Sequence, residues 1–335
     1  MEQASEDQDV RIERLGDVGR IILDRPRALN AITLGMVERI RVALDEWRTA
    51  GLRAVTIESA SERAFCAGGD IRRIRENSLA GRHEASLRFF ETEYAVNALL
   101  GSYPVPVVAL VGGVCMGGGM GLSVHGTFVV VSPQASFAMP ETKIGFFPDV
   151  GGSHFLPRLP GETGRYLGLT GARIGAADAL ALGLATHACS AEDLARLPHL
   201  IAEYDGPLEQ LLRELAPPAP GEAGRLAAVR PELDWAFSAP DLAGIGTRLT
   251  QLVAEGPDAG PVATWALETL GELAAASPCS MTVTDRLIVE GRQLDLEACL
   301  AMELATAAEV IASADFVEGV RAVLVDKDHA PRWSS

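Results

Sequence analysis

Two glycine-rich stretches determine how this 335-residue chain folds: residues 64–71 read AFCAGGDI, and residues 116–121 read MGGGMG. A glycine-rich turn that leads into a helix can present backbone N–H groups to a negative charge. Neither stretch is a P-loop, because no Gly-Lys-Ser/Thr sequence follows it. Taken alone, a glycine triplet more often marks tight packing between a strand and a helix than a binding site. The residues around the two turns must therefore decide between these interpretations.

Short apolar segments alternate with helical patterns over the first part of the chain. Apolar side chains recur at helical spacing after Thr33, which suits an N-cap, and a long helix is predicted from Glu84 to Leu100. The predicted strands are 10–15, 20–23, 53–58, 107–111 and 127–131, and a helix-like segment covers 122–125. Alternating strands and helices predict an α/β core whose strands stack in sequence order.

The composition changes from about residue 191, where the chain becomes acidic and rich in alanine and leucine. Helices are predicted there over residues 208–215, 241–255, 261–276 and 294–313. The proline-rich segment 216–221 is predicted to be a loop or linker. The predicted organisation is a disordered tail at 1–8, a core at 9–205 and a helical C-terminal region at 206–335 that belongs to the same fold.

Charge and composition restrict the partners. The net charge is −16, whereas binding to nucleic acid or an anionic membrane surface needs a basic footprint. No stretch approaches the ~18 uninterrupted apolar residues of a membrane span. The five cysteines form no CxxC pair, and the acidic N-terminus is wrong for a secretory signal. These features predict no metal site and a cytoplasmic location, and they do not exclude a small anionic ligand.

Three motifs in a fixed order carry a family resemblance. Residues 64–71 are followed by residues 106–119, which contain PVVA and the glycine triplet, and then by residues 137–152, which read FAMPETKIGFFPDVGG. In this order and spacing they resemble the motifs of the crotonase (enoyl-CoA hydratase/isomerase) superfamily. The resemblance implies an α/β, crotonase-like superhelix of stacked ββα units with a helical C-terminal region. It also implies that the backbone N–H groups of Gly69 and Gly118 hold the thioester oxygen of an acyl-CoA as it becomes an oxyanion.

The carboxylates indicate a branch of this superfamily. Its hydratases carry one glutamate three residues after the middle glycine and a second in the third motif; here these positions are Gly121 and Glu141. Eight residues further on, where hydratases usually have glycine, this chain has Asp149. A closer resemblance, to the 3-hydroxyisobutyryl-CoA hydrolase family, is carried by residues 139–152, 155–161, 169–173 and 315–328. It implies hydrolysis of a short branched 3-hydroxyacyl-CoA thioester in valine breakdown.

The same resemblance implies the role of each site residue. Glu141 would be the main catalytic carboxylate, acting as general base on water or attacking the thioester itself. Asp149 would bind the 3-hydroxyl of the substrate or orient water, and Glu93 would contact the substrate. The CoA moiety would run past Arg25, Ala28, Ala67 and Ile71. No cofactor beyond the CoA of the substrate is implied, and assembly into trimers or hexamers is expected.

Alternative interpretations remain for the individual residues and for the function of the whole protein. Glu141 after Pro140 suits a structural helix start, Asp149 suits a helix N-cap, and Glu93 suits a solvated helix face. The competing functions are an enoyl-CoA hydratase that uses Glu141 with Asp149 as an unusual second carboxylate, and a non-catalytic acyl-CoA-binding protein. The intact pair Gly69 and Gly118, together with the two candidate carboxylates, disfavours the binding protein. Product analysis separates all three.

Overall fold

The computed structural model describes residues 9–215, 224–255 and 260–334. The predicted tail at 1–8 and the predicted linker at 216–221 lie outside the described residues. The chain forms two compact units whose segments interleave along the sequence. Of the described residues, the first unit contains 9–70, 88–137 and 174–215, and the second contains 71–87, 138–173 and those from 224 onward. The predicted start of a C-terminal region at residue 206 falls inside the first unit, and that division stays a prediction.

The strands follow the apolar segments of the sequence. In chain order they are β1 (Val10–Leu15), β2 (Val18–Leu23), β3 (Ala54–Ser59), β4 (Ala64–Cys66), β5 (Val107–Val111), β6 (Val114–Met116), β7 (Phe128–Val131), β8 (Ser136–Ala138), β9 (Ile174–Gly175) and β10 (His187–Ala188).

These strands form two sheets with a regular alternation. One sheet has the order β1-β2-β3-β5-β7-β10, with β1 antiparallel to β2 and the later neighbours parallel. The other has the order β4-β6-β8-β9. Consecutive strands such as β3 and β4, or β5 and β6, therefore enter different sheets before the chain turns into a helix, which is a ββα repeat. The predicted α/β fold with strands stacked in sequence order is confirmed.

The helices lie between and after the strand pairs. In chain order they are α1 (Leu34–Trp47), α2 (Ile71–Leu79), α3 (His83–Gly101), α4 (Gly118–Ser123), α5 (Gly152–Phe155), α6 (Thr163–Thr170), α7 (Ala176–Leu182), α8 (Ala191–Glu203), α9 (Leu208–Glu214), α10 (Arg230–Phe237), α11 (Leu242–Glu255), α12 (Pro261–Ala275), α13 (Pro278–Gly291), α14 (Leu296–Val310) and α15 (Ala314–Val320). Within the described residues, no helix is both long and apolar enough to cross a membrane.

The first unit is built around its parallel strands. All five residues of β5 are buried, as expected of a strand that is covered on both faces. Val108 packs in one apolar cluster with Leu197 and Ile201 of α8. The start of α1 is fixed as predicted, because the Thr33 side chain accepts a hydrogen bond from the Met36 N–H.

The second unit is mainly helical and holds residues 138–152 from several sides. Phe146 stacks on Phe147, with ring centroids 4.5 Å apart, and its ring also lies 5.8 Å from that of Phe316 in α15. In α6, Arg165 donates to both carboxylate oxygens of Asp285, at 2.6 and 2.9 Å. This pair joins α6 to α13, a helix that the sequence analysis did not predict. Its start is nevertheless encoded locally, since the Ser277 side chain caps it.

One helix begins earlier than predicted. A helix-like segment was expected only at residues 122–125, because glycine disfavours helix, yet α4 begins at Gly118. Packing explains the difference. A Cβ placed on Gly119 would lie 2.5 Å from the carbonyl oxygen of Cys66 in β4. The glycines therefore allow the helix to approach the strand, and this contact outweighs their low helix propensity.

Candidate active site

The first unit brings the two predicted amide donors next to each other. A β-bridge between Ile32 and Gly69 uses the Gly68 carbonyl, which accepts from Ile32 at 2.8 Å, and the Asp70 N–H, which donates to Ile32 at 2.8 Å. The bridge therefore leaves the Gly69 N–H unused. Gly118 is the first residue of α4, so its N–H has no acceptor one turn earlier in the helix. A Cβ on Gly118 would lie 3.4 Å from the Gly69 nitrogen, which makes the two amides neighbours.

Backbone conformation explains why glycines surround these donors. Gly68 has a φ of 107° and Gly117, the N-cap of α4, has a φ of 48°. Side chains disfavour both values, whereas glycine adopts them readily. The motif glycines thus set the direction of two N–H groups without contributing any side chain.

Glu93 belongs to the same cluster. It lies on α3, and only 2% of its surface is exposed, so the interpretation as a solvated helix face is wrong. Its Oε1 atom lies 2.4 Å from the position that a Cβ on Gly118 would take. A carboxyl group therefore stands directly beside the amide pair.

Asn97, one turn after Glu93 on α3, was missed by the sequence analysis. It is fully buried, and neither of its side-chain polar atoms has a hydrogen-bond partner among the described residues. Buried side-chain amides normally form hydrogen bonds through both groups, because a buried donor or acceptor without a partner costs ~1–3 kcal/mol. The sequence feature that could have revealed Asn97 is its spacing from Glu93, since two polar residues four positions apart lie on the same face of a helix.

Glu141 lies in the second unit, at the start of a 3-10 turn over Glu141–Ile144. The predicted helix-start position is therefore correct, but the side chain does not cap the turn. It is buried, and its Oε2 atom has no hydrogen-bond partner within the described chain. Burial raises the pKa of Glu141 well above its usual range, and the charge of Asp149 raises it further. The raised pKa makes the ionised carboxylate a stronger base than an ordinary glutamate.

Asp149 is also buried and precedes α5. It is not the N-cap of that helix, because the N-cap is Gly151 and no side chain caps it. The chain turns sharply here, with φ values of 51° at Val150 and 84° at Gly151. The Asp149 carbonyl accepts from the Gly152 N–H at 2.7 Å, which closes the turn. Asp149 therefore projects from a tight, left-handed turn.

Another buried carboxyl group, Glu303, was not found from the sequence. It lies on α14 and accepts hydrogen bonds from the backbone of Gly151 and Ser153. Burial raises its pKa to about 8, with a further contribution from the charge of Asp149. The sequence feature that could have revealed Glu303 is its position as a charged residue on the apolar face of α14. In the described ranges, no group of three His, Cys, Asp or Glu side chains is suited to a metal ion.

The residues predicted to contact CoA fall into the two units as well. In the first, Arg25 pairs with Asp70 at 3.0 Å and donates to the Ala31 carbonyl at 3.0 Å. The Ala67 N–H donates to Leu29, the residue after Ala28. Ile71 opens α2 in the second unit. Arg25 also lines an open cleft of about 810 Å³. The charged residues of its lining are Arg11, Arg25, Arg27 and Arg39, together with Asp9, Glu13 and Asp24.

The chemistry available is that of acyl transfer. Two neighbouring N–H groups can stabilise a developing oxyanion, and each can contribute on the order of 10²–10³ in rate. A buried carboxyl group with a raised pKa can act as a general base or as a nucleophile. The second unit supplies such a group in Glu141, with Asp149 close enough to affect its pKa.

Known proteins resemble the chain over nearly its full length. A curated relative from Danio rerio, a mitochondrial 3-hydroxyisobutyryl-CoA hydrolase, is 40% identical over 97% of this chain and 85% of its own length. The enzyme of the same name from Homo sapiens is 39% identical over 97% and 84%. The crystal structure of an enoyl-CoA hydratase from Rhodobacter sphaeroides 2.4.1 is 38% identical, with a TM-score of 0.86 over 98% of this chain and 92% of that one. The predicted resemblance to 3-hydroxyisobutyryl-CoA hydrolases and the crotonase-like fold are confirmed.

The predicted cellular location is wrong. The curated relatives are named mitochondrial, which contradicts the cytoplasmic location inferred from the acidic N-terminus and the unpaired cysteines. The physical reason is that free thiols, four of which are buried here, exclude only oxidising surroundings and do not distinguish among reducing compartments.

The family model for enoyl-CoA hydratase/isomerase matches residues 18–335. This match includes both glycine turns and the buried carboxyl groups of Glu93, Glu141, Asp149 and Glu303. The chain belongs to the enoyl-CoA hydratase/isomerase family.

Proposed function

We propose that the protein hydrolyses a short branched 3-hydroxyacyl-CoA thioester, with 3-hydroxyisobutyryl-CoA as substrate and 3-hydroxyisobutyrate and CoA as products. The observation that carries the proposal is the carboxylate pattern, in which Gly121 stands where hydratases of the superfamily have a glutamate while Glu141 and Asp149 are both buried. The names of the curated relatives support the same reaction. The substrate is an intermediate of valine breakdown, and we assign the protein to that route.

The proposed reaction begins with the thioester carbonyl oxygen between the N–H groups of Gly69 and Gly118. Both N–H groups are left unused by the neighbouring backbone, which supports this role. As a nucleophile adds to the carbonyl carbon, the oxygen becomes an oxyanion and the two hydrogen bonds strengthen. The C–S bond then breaks, and the CoA thiolate takes up a proton.

Glu141 is the proposed catalytic carboxylate. As a general base it would take a proton from water while the water oxygen attacks the carbonyl carbon. As a nucleophile it would form a mixed anhydride, which water then hydrolyses to regenerate the carboxylate. The raised pKa of Glu141 supports either route, because a carboxylate of higher pKa is both a stronger base and a better nucleophile.

Asp149 and Glu93 are the proposed contacts to the acyl group. Asp149 would accept a hydrogen bond from the 3-hydroxyl, which gives a reason to prefer hydroxyacyl over plain acyl chains. Glu93 would contact the substrate beside the amide pair. Thioester hydrolysis by these groups requires no further cofactor, and we propose none.

CoA is proposed to bind along Arg25, Ala28, Ala67 and Ile71. The cleft beside Arg25 supports this assignment, since Arg27 lies exposed in it and the phosphates of CoA are anionic. Four arginines and three acidic residues line this cleft, so its formal charge is +1, against −16 for the whole chain, and this difference supports an anionic ligand there. Assembly into trimers or hexamers, as in other members of this family, is part of the proposal.

One pair of assays tests the reaction. A thiol-capture reagent should record free CoA from 3-hydroxyisobutyryl-CoA, and crotonyl-CoA should lose its enoyl absorbance far more slowly. Glu141→Gln is the control for catalysis by trace contaminants. The second candidate is a hydratase, favoured by the name of the Rhodobacter sphaeroides protein. Rapid loss of enoyl absorbance without thiol release from the hydroxy ester would establish it, and neither product would indicate a binding protein.

A further inference from the structure

The Glu303 carboxyl group is hydrogen-bonded to the segment that follows Asp149. Its Oε2 accepts from the Gly151 N–H at 2.8 Å, and its Oε1 accepts from the Ser153 N–H at 2.8 Å and from the Ser153 hydroxyl at 2.5 Å. Glu303 is fully buried. A side chain from α14 is thus hydrogen-bonded to a turn about 150 residues earlier in the chain.

The turn that Glu303 holds is strained. Val150 is β-branched and fully buried, yet it has a φ of 51°, in the left-handed region that such residues strongly disfavour. Conformations of this kind persist only where the surroundings over-determine them. The next residue, Gly151, is also left-handed and donates to Glu303, so the carboxyl group acts at the strained position.

An ionised carboxylate satisfies all three donors, and these hydrogen bonds favour the ionised form against the effect of burial. A glutamine of the same size has one acceptor oxygen, and its NH₂ group would face an N–H or O–H donor on the other side. One buried donor would then be left without a partner. The requirement for two acceptor atoms accounts for a carboxyl group on the apolar face of α14.

We propose that Glu303 is a positioning residue: by holding Gly151 and Ser153 it fixes the strained turn at Val150 and so sets the orientation of Asp149 toward the substrate. This inference rests on the proposed function, in which Asp149 contacts the acyl group. Glu303 itself touches no reacting atom in this scheme. Its effect passes entirely through Asp149.

The test is a double-mutant comparison of CoA release from 3-hydroxyisobutyryl-CoA. Glu303→Gln should lower kcat/KM by about 10²-fold, the loss expected from a misplacement of about 1 Å. In an Asp149→Asn background, Glu303→Gln should lower kcat/KM by a further factor of less than about three, because no carboxylate is left to orient. Glu309→Gln, at an exposed position on α14, is the matched control and should leave activity unchanged. Losses that multiply in the double mutant would overturn the proposal.

Hydrogen exchange tests the contact without relying on catalysis. The amides of Gly151 and Ser153 should exchange at least about tenfold faster in Glu303→Gln than in the wild type or Glu309→Gln. If the wild type releases no CoA, the proposed function fails, while this exchange still decides whether Glu303 holds the turn. If the wild type is active and the two variants match it in activity and exchange, the inference fails alone. Should Glu303→Gln not fold, Ser153→Ala, which removes one donor, takes its place in both measurements.

Discussion

Replacing Gly118 with alanine tests the geometry of the amide pair without removing an N–H group. The added Cβ would lie 2.4 Å from Oε1 of Glu93, 3.1 Å from Cδ1 of Ile32 and 3.4 Å from the Gly69 nitrogen. Real Cβ atoms essentially never approach another heavy atom below 3.0 Å. The Glu93 carboxyl group must therefore retreat by about 0.6 Å, the difference between 3.0 and 2.4 Å, or α4 must move.

The expected effect is larger on catalysis than on folding. Overpacking at a buried position costs ~1–3 kcal/mol in stability. Glu93 is buried and cannot swing into solvent, so part of the displacement falls on Gly118 and its N–H. A displacement approaching 1 Å in a catalytic group lowers the rate by about 10²-fold. We expect a loss of this order in kcat/KM for CoA release, with the variant still folded.

Two further variants identify the cause. Gly271→Ala places a Cβ on the exposed side of α12, where it meets nothing within 4 Å, and should retain full activity with equal or higher stability. Glu93→Asp shortens the carboxylate that the new Cβ meets. The loss caused by Gly118→Ala should therefore be smaller in the Glu93→Asp background than in the wild type. Thermal unfolding and CoA release would be measured for each.

Two outcomes would refute this reasoning. The first is a Gly118→Ala variant with kcat/KM within threefold of the wild type, since the amide would then tolerate the displacement. The second is an equal loss in both Glu93 backgrounds, which would show that Glu93 is not what the methyl group meets.

Two other predictions concern the buried carboxylates. Glu141→Gln should lower kcat by ~10²–10⁴-fold while CoA esters still bind. Because burial raises the pKa of Glu141 and the ionised form is the active one, wild-type activity should rise with pH along a limb well above pH 4.5, and the residual activity of the variant should lack it. A limb near 4.5 would contradict the effect of burial. Asp149→Ala should weaken transition-state binding by ~1.5–3 kcal/mol more for 3-hydroxyacyl-CoA than for the analogue without the hydroxyl. Equal losses in kcat/KM would assign Asp149 to another role.

The sequence predicted the features that depend on local patterns. Strands such as β5 have the predicted bounds because a short apolar run between turn residues encodes a buried strand. The N-cap at Thr33 was predicted for a similar reason, since capping involves residues only three positions apart. The order of the glycine motifs identified the family, because the backbone conformation at each of these positions requires glycine.

Only the tertiary structure decided what surrounds those positions. A helix face does not reveal whether Glu93 meets solvent or the Gly118 backbone, and the fold alone buries it. The early start of α4 follows from its contact with β4, which overrides the poor helix propensity of glycine. Glu303 is the clearest case. Its hydrogen bonds to Gly151 and Ser153 join residues about 150 positions apart, and no local pattern encodes which turn a distant side chain will reach. Packing of the whole chain sets that partner, and with it the environment that raises the pKa of the carboxyl group.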